Sequence, residues 1–306
     1  MNSARSIRSG ALLPFLLVAL IWGSTWLVIK DQISAVPPGW SVTWRFLLAS
    51  FGMVILAHFR GESLRLPLGG QRLALLVGVP QFCLNFQFVY RAEHYLTSGI
   101  VAVLFAMLLV PNALFSRLFL GTKLSGRFLL GSLVAITGIG LLLLHEYRIA
   151  PLDGSAQASV LLGIGFIICA LLSASIGNVL QATEQARRMP VIPLLAWAMI
   201  WGTVANIVLS WIISGPPQFD PRPQYFAGIV YLALIGSVVT FPLYFGLIRT
   251  MGAGRAAYNG VLVPVIAMGL STMFEGYRWS LLAVAGAVVA MTGLLIALSA
   301  SGKNRG

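Results

Sequence analysis

Apolar residues fall in ten blocks, near 12–30, 39–58, 72–90, 98–119, 127–145, 158–182, 191–213, 225–248, 255–274 and 280–299. Each is close to the twenty or so residues that a helix needs to cross the hydrocarbon core of a bilayer. A segment in lipid must close its own backbone hydrogen bonds, so blocks of this length predict helices. The polar connections are short. The longest run from His58 to Arg72, Glu146 to Gln157 and Ser214 to Gln224, and the last two blocks are parted only by a turn at Glu275 to Trp279. No soluble domain fits between them.

The pattern is written twice. An offset of 155 residues carries Gly99–Leu143 onto Gly254–Leu298 without a gap. Phe119, Gly121, Ser125, Gly131, Ala135 and Gly138 meet Phe274, Gly276, Ser280, Gly286, Ala290 and Gly293, and Lys123 meets Arg278. A fixed internal period marks a duplicated unit. Each unit holds five spans, and an odd number of crossings turns the second copy over relative to the first, as in many secondary transporters. The predicted units are residues 1–150 and 151–306, jointed near Gly154 and Ser155.

Charge supports the count. Arg5, Arg8, Arg60, Arg65, Arg72, Arg117, Lys123, Arg127, Arg187, Arg188, Arg249, Arg255, Lys303 and Arg305 fall on one side; Lys30, Arg91, Arg148, Arg222 and Arg278 fall on the other. The excess of basic residues marks the cytoplasmic side, which predicts cytoplasmic N- and C-termini. Arg5 and Arg8 before an apolar run resemble a signal peptide. That run lacks a small-residue cleavage site and reads as a retained first span. Composition excludes a soluble fold: 58% of the 306 residues are hydrophobic and 9% charged, and mean hydropathy is +0.90. The net charge of +12 therefore reads as topology, with no nucleic-acid partner. Cys83 and Cys169 lie inside apolar runs, and neither a metal site nor another cofactor is expected.

Polar and helix-breaking residues inside the spans are the candidate chemistry. Pro80 and Pro111 interrupt the third and fourth spans; Pro242 and Pro264 interrupt the eighth and ninth. Interrupted helices in matching places of two halves point to a transporter's midplane site. Gln81 and Asn85 share a face of the third span, as Thr240 and Tyr244 do on the eighth; Tyr258 and Asn259 open the ninth, and Asn178 sits in the sixth. Such residues line a polar cavity or bond helix to helix. Arg45 is the one basic residue well inside a span. It either meets an anionic group of a substrate or reaches back to the interface. Trp22 with Trp26, and Trp197 with Trp201, form aromatic faces that suit a ligand or an interfacial belt. Gly131, Ala135, Gly286 and Ala290 read as helix-packing faces, with a dimer contact as the lesser option. All eight acidic residues lie in connections or near span ends. That argues against a midplane carboxylate for protons or cationic substrates.

These residues resemble the ten-span drug/metabolite transporter superfamily, specifically its EamA-type exporters. The resemblance rests on W-G-S-T-W from Trp22, Lys30, Pro37-Pro38, Arg45-Phe46 with Ala49, Pro111, F-L-G-T-K-L from Phe119, and the later Pro264, Gly276, Gly286 and Gly293. It covers essentially the whole chain. Thr122 and Tyr277 stand where the family usually has Glu after the loop glycine, so no role of that Glu carries over. The resemblance implies export of amino acids and related metabolites, aromatic amino acids among them, from a bacterial inner (plasma) membrane.

The expectation is an all-α membrane protein, ten transmembrane helices in two inverted five-helix repeats around a central cavity. It would export a small polar or zwitterionic metabolite by alternating access, without catalysis, as a monomer or weak homodimer in lipid. The rival is a membrane-embedded enzyme acting on lipid-linked substrates. That rival lacks convergent acids, bases or metal ligands, since His58, His94 and His145 all sit at span ends.

Overall fold

Proline and glycine punctuate the apolar blocks and set where each helix begins and stops. The computed structural model describes residues 2–149, 155–251 and 259–301, and all ten blocks emerge as helices. They are α1 (Asn2–Gln32), α2 (Pro38–Phe59), α3 (Leu68–Ala92), α4 (Ser98–Leu120), α5 (Gly126–Ile149), α6 (Ser155–Gln181), α7 (Val191–Ser214), α8 (223–251), α9 (Asn259–Phe274) and α10 (Leu281–Ser301). Eight are long and apolar enough to cross a membrane outright, and the described parts of α9 and α10 are shorter apolar helices. Among the described residues there is no strand.

Pro37, Pro67 and Pro190 directly precede α2, α3 and α7, and Pro223 opens α8. A helix start tolerates proline because its first N–H groups have no intrahelical partner. At the far ends of α4 and α9 the chain stops on Gly121 and Gly276, both at φ +68°. This left-handed conformation costs glycine little. Just after them, the Thr122 N–H donates to Ser116 O and the Tyr277 N–H to Ser271 O, each at 3.3 Å. The same cap is thus built at both copies of the repeat.

Packing follows the offset as well. α1 lies against α9 and α8, as α6 lies against α4 and α3; α3 meets α7 as α8 meets α2. α2–α7, α4–α9 and α5–α10 pair each helix with its own counterpart. The α5–α10 pair is held by close backbone approach. A Cβ at Gly138 would lie 2.2 Å from Ala290 N, and one at Gly293 2.2 Å from Ala135 N. The small-residue faces are therefore contacts within the chain.

Two helices leave regular geometry at corresponding places. α3 is π-helical over Val79–Leu84 and α8 over Tyr231–Val239. Pro80 lies at the start of the first wide turn and Pro242 just past the second. In α4 a 3-10 stretch, Ala106–Leu108, precedes Pro111, whereas Pro264 is accommodated inside α9.

Gly138→Ala should push α5 and α10 apart, costing about 1–3 kcal/mol by overpacking and lowering the apparent melting temperature in detergent. Gly140→Ala, on the same helix but with nothing within 4 Å of its Cβ, should leave that temperature unchanged or raise it, since alanine is the better helix former.

Candidate functional site

The irregular stretches of α3 and α4 border a cavity of about 170 Å³ between α1, α2, α3, α4, α6, α8 and α9, and that of α8 ends just before its first lining residue, Phe241. The cavity volume is below the roughly 300–1,000 Å³ of pockets for drug-sized ligands, so the space suits one small metabolite. The wide turn of α3 brings Gln81 and Asn85 to the wall, where the Asn85 Nδ2 donates to Gln81 O at 3.3 Å. Asn112, just past Pro111, accepts from Asn178 Nδ2 of α6 at 3.4 Å, and both line the cavity. Asn259 of α9 completes the carboxamides and donates from Nδ2 to Phe15 O at 3.3 Å.

Aromatic rings fill the rest. Trp22, Trp26, Phe86, Phe105, Phe241, Tyr244 and Phe245 line the walls. Trp22 packs against Tyr244 with ring centres 4.9 Å apart and the planes tilted by 55°, and its indole N–H donates to Thr240 Oγ1 at 3.0 Å. Thr240 is fully buried behind that indole and in turn donates to Gly236 O at 2.6 Å. It positions Trp22 and is not itself among the lining residues.

Arg45 is the one charged side chain of the lining, and it is only 2% exposed. The snorkelling reading is corrected by its surroundings. Its guanidinium sits 4.4 Å from the centre of the Phe86 ring and 5.2 Å from that of Phe46, within cation–π range. Nε and a terminal nitrogen donate to Ser237 Oγ at 3.4 and 3.3 Å, and the other nitrogen reaches Tyr90 Oη at 3.5 Å. Ser237 is presented by the wide turn of α8, where its hydroxyl also donates to Leu232 O at 2.8 Å. Among the described residues no carboxylate forms an ion pair with Arg45. A buried guanidinium held only by hydroxyls and rings is an incomplete electrostatic pair, and the cavity is where a partner can enter.

Of the residues singled out from sequence, the fold thus gathers Trp22, Arg45, Gln81, Asn85, Asn178, Tyr244, Asn259 and Pro264 around one space. Tyr258 lies outside the described residues. Trp197 and Trp201 point elsewhere: their indoles donate to Leu64 O (2.7 Å) and Gln71 Oε1 (3.2 Å), pinning α7 to the start of α3. Asn112 and Ser237 were missed. Asn112 carries a readable signal, a carboxamide beside an intramembrane proline, but Ser237 acquires its place only through the π turn. Gln87 and Asn206, also buried, bond to each other at 2.8 Å, and Asn206 donates to Phe82 O at 2.9 Å. They join α3 to α7 and lie off the cavity.

A family model described as the EamA-like transporter family matches residues 9–144 and again 161–299. The chain belongs to this family. It is similar to PagO of Salmonella typhimurium, 26% identical over 87% of this chain and 85% of the relative. A protein named a probable amino-acid metabolite efflux pump of Escherichia coli is 26% identical over 92% of both chains. An inner membrane transporter of the same species, YedA, is 30% identical over 84% of this chain and 80% of its own length. A solved crystal structure at 17% identity shares the fold, with a TM-score of 0.69 over 97% of this chain and 99% of the other. As an EamA-family member, the protein is an integral membrane transporter.

The two groups of carboxamides should separate experimentally. Gln81→Ala and Asn85→Ala, in the cavity wall, should weaken substrate binding several-fold, for about 1 kcal/mol per lost neutral hydrogen bond, with little change in melting. Asn206→Ala should lower the melting temperature, because it leaves Gln87 and the Phe82 carbonyl short of a buried partner, at a cost of about 1–3 kcal/mol. Parallel transport assays and thermal melts on the same samples read both.

Proposed function

We propose that the protein exports amino acids, with aromatic or large apolar side chains preferred, by alternating access of the central cavity. The observation that carries this reading is Arg45, a buried guanidinium facing the cavity without a carboxylate of its own. A substrate carboxylate would complete the pair through charge-assisted hydrogen bonds, the strongest kind available there. Side-chain oxygens of Gln81, Asn85 and Asn259 are buried without hydrogen-bond partners. They are acceptors of the right kind for an α-ammonium group. The aromatic walls would take the side chain, and the name of the Escherichia coli efflux pump agrees with the class.

Alternating access follows from the matched halves, which we take to be inverted. The units would rock about the π turns of α3 and α8, exposing the site to each side in turn. The charge bias argues for cytoplasmic termini, with Lys123 facing the cytoplasm and Arg278 facing outward, and the name of the inner membrane transporter YedA supports an inner-membrane location.

Counterflow of phenylalanine in proteoliposomes should be inhibited by other amino acids but not by phenethylamine, which lacks the carboxylate. Arg45→Gln should lower amino-acid affinity about tenfold or more, as expected for the loss of about 1.5–3 kcal/mol of charged hydrogen bonding. Phenethylamine competing as well as phenylalanine would defeat the role given to Arg45. For topology, thiols placed by Arg278→Cys and Lys123→Cys should differ in whole cells. An impermeant maleimide should reach the first directly and the second only after permeabilisation; equal labelling would rule out inversion.

A further inference from the structure

The end of the cavity bounded by Ile29 and Val89 is closed by residues that no part of the substrate reading uses. One residue beyond Ile29, the Lys30 ammonium donates to the backbone carbonyls of Glu93 and of Leu96, the latter at 3.0 Å. One turn beyond Val89 lies Glu93, with 0% of its surface exposed. Across the same end, Glu275, just after α9, accepts from the backbone N–H of Ser98 at 3.3 Å and from its hydroxyl, tying α9 to the start of α4. Lys30 and Glu275 are thus hydrogen-bonded, whereas the buried Thr97 hydroxyl and the Glu93 carboxyl are not. Both carboxyl oxygens of Glu93 are buried and lack any hydrogen-bond partner.

A carboxylate buried without a donor is far more costly than a neutral carboxyl in the same place. The groups around Glu93 do not reverse that. Lys30 from α1 spends its hydrogen bonds on carbonyls, Arg45 from α2 is engaged by Ser237 and Tyr90, and Glu275 adds a like charge. Arg91 and His94 lie on Glu93's own segment, with Arg91 bonded to Gln87. Tyr90 lies one turn back, and α6, which packs on this segment, contributes no charged residue. Burial holds the Glu93 carboxyl well above the usual carboxylate range, against the pull of Lys30 and Arg45 and with the help of Glu275.

We propose that Glu93 is a proton-binding site that locks this end of the cavity: its carboxyl carries a proton while the end is closed and releases it to the solvent there when the end opens. The inference rests on the alternating-access reading. Opening separates α1 from residues 93–97, breaks the Lys30 contacts and hydrates the carboxyl, which then ionises; closing takes the proton back. The closed-state proton affinity is the raised one. Closure is therefore fully favoured at low pH and weakens as pH rises from the ordinary carboxylate range toward the closed-state value, by at most about tenfold per pH unit for one proton.

The test uses thiol accessibility in sealed vesicles of the full chain, with Cys83 and Cys169 replaced by alanine. A thiol placed by Ile29→Cys reports opening; a thiol placed by Ser34→Cys, at an exposed position of the same end, marks the side and corrects for the reagent's own pH dependence. The ratio of their labelling rates by an impermeant maleimide should rise several-fold as pH increases above the ordinary carboxylate range. In Glu93→Gln, a neutral mimic of the protonated acid, the ratio should stay low and flat. In Glu275→Gln, which removes the like charge yet can still bond Ser98, the midpoint should move to lower pH. A ratio independent of pH in the parent, or an unchanged slope in Glu93→Gln, would overturn the proposal. Should Glu93→Gln fail to fold, an unchanged midpoint in Glu275→Gln would overturn it alone. A thiol at position 29 that never reacts from that side at any pH would refute the alternating opening itself.

Discussion

A backbone N–H or C=O left unpaired in hydrocarbon costs several kcal/mol, and this constraint decides where the protein can place a site. Ten helices satisfy the rule with their own i→i−4 bonds, which leaves little freedom to aim polar groups inward. The exceptions are segments that keep the backbone bonded in a different register. Over Val79–Leu84 and Tyr231–Val239 the wider π turns do this, and the N–H of Asn85 still finds Pro80 O. These turns deliver Gln81 and Asn85 from one half and Ser237 from the other. Irregular backbone is tolerated here because it is buried in protein and borders a cavity.

The same economy governs charge. The cavity carries one guanidinium, enclosed by Phe46 and Phe86 and hydrogen-bonded by Ser237 and Tyr90. Rings and hydroxyls stabilise a cation without neutralising it, which is why an anionic group is the partner proposed for it. Glu93, at the sealed end, is the complementary case: an acid whose surroundings favour its neutral form. Both groups are buried, but only Arg45 lines the cavity.

The helices and their number were legible because each rests on a pattern spread over many residues. Span length is read from about twenty positions at once, and the repeat from dozens. The matching caps at Gly121 and Gly276 could be read because one residue type serves that conformation best. Much of the site was legible for a similar reason: carboxamides, tryptophan and proline inside apolar runs are conspicuous, and most of them meet around one cavity. Trp197 and Trp201 look the same in sequence as Trp22 and Trp26, yet bond to the segment before α3 and to its first turns. Local spacing cannot separate the two pairs, since each is one turn apart on its own helix.

What the sequence by itself determined is therefore the class, the ten spans, the duplicated unit and the pool of polar residues. All of these follow from periodicity along the chain. Tertiary structure alone decided which face each polar residue shows and what meets it across the bundle. Arg45 could snorkel or pair until Phe86, Ser237 and Tyr90, contributed by α3 and α8, enclosed it. Glu93 stands at a span end by position but is fully buried, because Lys30 ties α1 to its segment and Glu275 ties α9 to the neighbouring start of α4. Burial and pairing depend on neighbours far apart in sequence, and hydropathy read along the chain carries no record of which ones they are.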